Sequence, residues 1–232
     1  MISIIIPTFN EAVAIRATIR TLWAHDEGHL IEQIIVSDGG STDGTVEAAS
    51  AEGVVVIRSP RKGRSAQMNV GATQATGSLL YFLHADTVPP KGFTQDIAEA
   101  VQNGFFAGCY RLAFDYDHWF LNANCWFTRF DVDAVRFGDQ SLFVTKKAFA
   151  AVGGFCEKHI VLEDQHLVKK LKQNVRFTVL KKPVHTSARK YRENGVYKTQ
   201  GIFFLIYFLY RLGYPQQKLV STYRRLIRQN KI

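Results

Sequence analysis

Four apolar stretches in the N-terminal part of the chain each run into residues able to do chemistry. Pro7–Glu11 follows Ile4-Ile5-Ile6, Asp38–Gly44 follows Ile34-Ile35-Val36, Arg61–Asn69 follows Val54–Ile57, and His84-Ala85-Asp86 follows Leu79–Leu83. Leu79–Leu83 suits a strand buried on both faces of a sheet, and the other three read as strands. Each then delivers polar or flexible residues to one edge, where ligands bind in open α/β sheets. Asp86 is the sharpest of these. It reads either as a strand-end carboxylate capping the next turn or as a ligand for a divalent metal that holds a diphosphate. No Walker loop is present and no G-x-G-x-x-G follows the first strand, so the standard nucleotide fingerprints are missing.

The elements that position these residues follow from periodicity. Ser3–Ile6 reads as a strand stopped by Pro7. Asn10, as N-cap, opens a helix through Ala24 with Ile15, Ile19 and Leu22 on one face. Ile31–Ser37 and Val54–Ile57 read as strands, Asp43–Ala51 and Gly63–Ala75 as helices. Strand and helix alternate, which predicts an α/β fold with a mostly parallel sheet covered on both faces by helices. Further strands are expected at Phe106–Phe114, Ser141–Val144 and Val175–Leu180, and helices at Gly92–Val101, Trp119–Phe130, Lys146–Val152 and Glu163–Lys172.

At 232 residues with 47% hydrophobic content, one large domain with a full core is expected. Three dispersed cysteines without C-x-x-C or finger spacing argue against a disulfide framework or structural zinc and for a reducing compartment. Met1-Ile2-Ser3 leads straight into a strand rather than a charged signal start, so the expected location is the cytoplasm. The net charge of +9 is uneven: residues 181–232 carry twelve of the 29 Lys and Arg but one of the 20 acids. The C-terminal segment 191–232 is therefore set apart from a body at 1–190. It joins the uncharged run Ile202–Tyr210, too short to span a bilayer, to a basic helix with Leu219, Val220, Tyr223, Leu226 and Ile227 on one stripe. Three roles stand open for it: packing on its own domain, a peripheral contact at the inner face of a membrane through 202–232, or a homodimer interface. No nucleic-acid partner is expected.

IIIPTFNE at 4–11, SDGGSTDGT at 37–45, GRSAQMNVGATQATG at 63–77 and FLHAD at 82–86 resemble family 2 glycosyltransferases, in order and at familiar spacings. FGDQSLFV at 137–144, GGF at 153–155, LED at 162–164 and HTSARK at 185–190 resemble a bacterial subgroup with His-Ala-Asp in place of Asp-x-Asp. The resemblance covers roughly residues 2–190. It implies a GT-A fold with C-terminal helices, a nucleotide-sugar donor (a UDP-sugar), Mn²⁺ or Mg²⁺, and inversion at the anomeric carbon of a transferred hexose. Carried onto this chain, the donor site comprises Pro7, Thr8, Glu11, Asp38, Arg64, Asn69, His84 and Asp86. Asp38 would accept from a base N–H, and Asp86 would hold the metal with His185 as a second ligand. Charge developing on the leaving diphosphate would be neutralised by the metal and Arg64. Asp164 is the expected base for an acceptor hydroxyl, with Glu163 orienting it or touching the acceptor. Asp139 and Gln140 belong to the acceptor side.

The chain departs from the family at His84, where a second carboxylate is usual, and at Gly39, where many relatives carry an Asp. Literal Asp-x-Asp occurs at Asp115–Asp117 and Asp131–Asp133, neither after a buried parallel strand, and His25 and His29 are four apart near a helix end. A nucleotidyltransferase would show a Gly-rich basic loop after the first strand, where this chain has Pro7–Glu11. A non-catalytic nucleotide-sugar-binding protein would not need Asp86 and Asp164 together. A lipid-like acceptor would suit a membrane-surface enzyme, with Trp119, Phe120, Trp126 and Phe127 either lining its groove or filling the core.

Overall fold

The computed structural model describes residues 1–132 and 140–228. Asp133 and the expected acceptor residue Asp139 lie outside them. The described residues form an eight-stranded sheet: β1 (Ile2–Thr8), β2 (Ile31–Asp38), β3 (Val55–Arg58), β4 (Leu79–Phe82), β5 (Thr87–Val88), β6 (Ala107–Phe114), β7 (Leu142–Thr145) and β8 (Phe177–Thr186). Their spatial order is β3-β2-β1-β4-β7-β6-β8-β5. The first four strands in that order are mutually parallel, β7 is antiparallel to both neighbours, and β8 is parallel to β6. The expected mostly parallel α/β sheet is therefore present. The chain reverses direction of growth between β1 and β4, which opens a crevice at their carboxyl ends.

Every residue of β1 and β4 is buried. Two apolar layers cover the sheet. One packs Ile15, Ile19 and Leu22 of α1 (Ala12–His25) and Phe93 and Ile97 of α4 (Phe93–Gln102) against Ile4, Ile6 and Tyr81. The other packs Met68 and Ala72 of α3 (Arg64–Gln74) and Leu167 and Leu171 of α7 (Glu163–Asn174) against Ile5, Leu80 and Phe82. A Cβ on Gly71 would lie 2.5 Å from Ile5 Cγ2, so α3 sits closer to β1 than any larger residue allows.

Pro7 does not stop the first strand. It pairs in register with Ser37, while β4 pairs only as far as Ile5. Thr8 accepts from Gly39 N on the β2 side, so the neighbouring Pro7 faces the other way, where β4 has ended and no donor is needed. Nor does Asn10 cap α1. It adopts a left-handed conformation (φ 54°), and the flanking amides are met from a distance. Glu11 N donates to Thr45 Oγ1, Ala12 N to Asp43 Oδ2 and Asn10 N to Ser41 Oγ, while Asn10 Oδ1 accepts from Thr42 N. The loop after β2 thus closes over the loop after β1. That long-range pairing leaves no sequential capping signal.

The last strand outruns its expected end at Leu180 by six residues because β6 continues beside it. A helix α2 (Thr45–Ser50), α5 (Trp119–Phe127) and α6 (Lys146–Ala151) complete the body. The chain then runs through α8 (Arg189–Asn194), α9 (Val196–Arg211) and α10 (Gln216–Leu226). Ile202 and Ile206 of α9 pack with Leu219, Val220 and Tyr223 of α10 and with Val161 of the body. Among the described residues no helix is long and apolar enough to cross a membrane.

Candidate active site

The turn after β4 is held from three sides. Leu83 N donates to Ile5 O, Thr18 Oγ1 of α1 donates to Ala85 O at 2.6 Å, and Thr87 Oγ1 meets Thr186 Oγ1 at 2.9 Å. Ala85 turns into the core, which leaves His84 and Asp86 half-buried on the opposite side. Both line a cavity of about 350 Å³ with Pro7, Glu11, Gly39, Gln67, Lys62, Arg64, Arg189, Lys190 and Arg224. Five cations and two carboxylates face this space, and one carboxylate, Glu11, lies 3.7 Å from Arg189 Nη2. Such a lining favours a polyanionic ligand.

A second cavity, of about 120 Å³, lies against the first. Arg64, Phe114, Lys190, Tyr191 and Phe203 line both. The second is walled by Glu163 and Asp164 together with apolar Leu112, Val161, Leu162 and Ile206. Leu162 takes a left-handed conformation (φ 59°) and α7 begins at the next residue, so the turn presents Glu163 and Asp164 in the first helical turn. Glu163 is 1% exposed, and its Oε1 lies 2.7 Å from Arg64 Nε. Neither of its oxygens accepts an aligned hydrogen bond, so the contact with Arg64 is ionic and both oxygens retain acceptor capacity.

Several expected site residues have other occupations. Asp38 is 1% exposed. Its carboxylate accepts from Gly40 N, Ser41 N and Ser41 Oγ of the following loop and from Thr8 Oγ1 of β1, which occupies its four acceptor positions. Thr8 is buried with it. Asn69 is a bracket for the Gly153–Leu162 loop: its Nδ2 donates to Phe155 O and its Oδ1 accepts from Phe155 N, both at 2.9 Å. Gln140 is buried and donates to Tyr110 O. His185 is exposed on β8 between buried Val184 and Thr186, and strand alternation turns it away from the cavity that Thr186 lines. Asp115 and Asp117 bond to Ala188 N and Asn122, and His25 Nδ1 lies 2.7 Å from Pro89 O.

The residues that sequence reasoning missed are mainly cations. Arg189 and Lys190 stand in the HTSARK block beside His185, and Lys62 precedes Gly63 at the start of α3. Gln67 is also new: its Nε2 donates to Thr8 O and Ser37 O, tying the ends of β1 and β2 together beneath the cavity. A glutamine among the small residues of Arg64–Gln74 is the sequence signal that marks it. Arg224 comes from α10, and nothing in the sequence predicts that reach.

A divalent metal fits this site in one way. Among the described residues no group of three His, Cys, Asp or Glu side chains gathers at Asp86. One carboxylate with an adjacent imidazole suits Mg²⁺ or Mn²⁺ that draws most of its shell from substrate phosphates.

A cation-lined chamber at the reversal point of a parallel sheet, joined to a smaller chamber with one buried and one half-buried carboxylate, matches a GT-A glycosyltransferase architecture. The glycosyl transferase family 2 profile matches residues 3–151, and the chain belongs to that family. A relative, the "PGL/p-HBAD biosynthesis glycosyltransferase" of Mycobacterium tuberculosis, is 36% identical over 92 residues, 37% of this chain and 35% of the relative. The match thus spans about a third of that relative's length. Among solved structures, TarS residues 1–349 of S. aureus with UDP-GlcNAc superposes with a TM-score of 0.67 at 19% identity, over 81% of this chain and 58% of that one. Glucosyl-3-phosphoglycerate synthase of Mycobacterium tuberculosis, with Mn²⁺, UDP and phosphoglyceric acid, superposes with a TM-score of 0.65 at 18% identity, over 93% and 79%. These superpositions speak to the fold.

Proposed function

We propose that the chain transfers a hexose from a UDP-sugar to an acceptor hydroxyl with inversion at the anomeric carbon. The observation carrying this reading is the pair of cavities that share Arg64, one lined by Asp86 and the other by Asp164. The nucleoside diphosphate occupies the larger cavity. Lys62, Arg64, Arg189, Lys190 and Arg224 offset its charge, and that charge grows as the leaving group departs. Asp86, with His84 beside it, would hold Mn²⁺ or Mg²⁺, which when bound adds positive charge at the diphosphate. Asp164 takes the proton of the acceptor hydroxyl. The acceptor oxygen bonds to the anomeric carbon on the face opposite the leaving oxygen, and the sugar–phosphate bond breaks. Glu163 fixes Arg64 and offers its unfilled oxygens to a second acceptor hydroxyl. The apolar wall of the smaller cavity suits a lipid-like acceptor.

The outer face of α9 supports a peripheral contact with an anionic bilayer. Tyr197, Phe204, Leu205, Phe208 and Leu212 are exposed along it, and Lys198 and Arg211 share that face. An apolar stripe bordered by cations is the pattern of an interfacial helix.

The test is release of nucleoside diphosphate from UDP-glucose, UDP-GlcNAc or GDP-mannose with Mn²⁺. A nucleotidyltransferase would release pyrophosphate instead, and a non-catalytic binder would hold the donor without turnover. Asp86→Ala is expected to lose metal-dependent donor binding. Asp164→Asn is expected to keep donor binding and lose about 10²–10⁴-fold in transfer. Normal transfer by Asp164→Asn rules out its role as base.

A further inference from the structure

The loop between α6 and α7 brings together three side chains that no step of the transfer uses. Cys156 and His159 bracket a tight turn in which His159 N donates to Cys156 O, and His166 projects from the first turns of α7. One ligand atom from each lies within 4.8 Å of the others, the only such grouping of three His, Cys, Asp or Glu among the described residues. The imidazoles of His159 and His166 stack with centroids 4.0 Å apart. His159 Nδ1 is buried without a hydrogen-bond partner, a condition that usually has a cause.

We propose that Cys156, His159 and His166 form a binding site for one soft divalent transition-metal ion, Zn²⁺ foremost, separate from any metal held at Asp86. Cys156 and His159 are separated by two residues across one turn, which lets both reach a single ion, and a helix supplies the third ligand. Tetrahedral coordination sets N–N and N–S separations at roughly 3.3–3.6 Å. From a spread of up to 4.8 Å the ligand atoms close by at most about 1.5 Å, and the two imidazoles turn out of their stack so that both ring planes meet at the ion. Two imidazoles and a thiolate prefer Zn²⁺ or copper to Mg²⁺ or Mn²⁺, which seek oxygen. On binding, the Cys156 thiol gives its proton to solvent and the sulfur–metal bond forms. Burial, the first cause for both histidines, lowers their proton affinity, which favours the neutral, ligating form. All three side chains are partly exposed, so an ion has a path in and a fourth position is open to water.

The backbone already holds the ligands in place. Asn69 brackets Phe155, Ser65 Oγ donates to His159 O, and Gln216 Oε1 accepts from Ile160 N and Val161 N. An ion here would pin the loop to α7 three residues from Glu163. Such an ion would position the helix start that carries Glu163 and Asp164, and its binding does not depend on the transfer reaction.

The experiment titrates Zn²⁺ into the tag-free, metal-stripped full chain against a chromophoric chelator, then repeats it with Co²⁺ read by absorbance. One ion per chain and a thiolate-to-cobalt band in the near ultraviolet are expected. Cys156→Ala and His166→Ala should each weaken Zn²⁺ binding by at least about 100-fold, more than loss of an outer hydrogen bond to a ligand costs. Asp86→Ala should leave the stoichiometry and the band unchanged. Circular dichroism identifies any variant that fails to fold, and two independent ligand variants keep the test sharp. Absence of stoichiometric binding by the parent chain, or retention of the cobalt band by folded Cys156→Ala, overturns the proposal.

Discussion

Arg64→Met and Glu163→Gln delete the two halves of one ion pair, and their costs are expected to differ several-fold. The reason is burial. Glu163 is 1% exposed, while Arg64 keeps 34% of its side chain in contact with solvent. Removing Arg64 strands a desolvated carboxylate, which costs about 3–5 kcal/mol for a buried pair. The low end applies here, since the pair is open to water on the Arg64 side. Removing the charge of Glu163 leaves a guanidinium that can rehydrate, at a cost of about 1 kcal/mol. The double variant should be more stable than Arg64→Met alone, because no charge is then stranded. Urea unfolding at neutral pH of the parent, both single variants and the double variant reads all four values, with unchanged slopes as the check on a common unfolded state. If Glu163→Gln costs as much as Arg64→Met, or if the two costs simply add, the buried carboxylate is not what Arg64 holds in place. Arg64→Met should also weaken UDP binding, since Arg64 lines the larger cavity.

Three further outcomes follow from the same geometry. Thr18→Val keeps the volume but leaves Ala85 O without its 2.6 Å partner, and should cost about 1–3 kcal/mol in urea unfolding, with Thr18→Ser recovering most of it. Asn69→Ala removes both bonds to Phe155 at about 1 kcal/mol each and should speed proteolytic cleavage within residues 153–162, with a cleavage rate equal to the parent's speaking against the bracket. Phe208→Glu and Leu212→Glu together should abolish co-sedimentation with phosphatidylglycerol vesicles, and for the parent chain that binding should weaken as salt rises. Concentration-dependent dimerisation without vesicle binding would assign the face to a second copy instead.

The elements of the body were legible because their determinants are local. Apolar runs bounded by Gly, Pro and polar clusters mark β1 to β4, and the 3.6-residue spacing of Ile15, Ile19 and Leu22 marks α1. The edge that carries the site was legible for the same reason, as each strand end announces itself by a change of composition. Asp86 and Arg64 were reachable that way, Glu163 and Asp164 only through their resemblance to the family's Glu-Asp pair, and all four line the paired cavities.

What the tertiary structure alone decided concerns partners distant in sequence. Asp38 has the right type and place for a ligand contact, but three residues of its own loops and strands consume its oxygens. Asn69 faces Phe155, 86 residues away, and His185 lies on the outward side of a strand whose length depends on β6 beside it. Arg224 reaches the larger cavity only because α9 and α10 fold back over Val161. Cys156, His159 and His166 show no finger spacing in the chain, and a turn followed by a helix start gathers them. Local pattern determines which segment becomes a strand or a helix, because that depends on neighbours within a few residues. Which side chains are free to meet a ligand depends on what packing and hydrogen bonding have already claimed, and those claims are made across the whole chain.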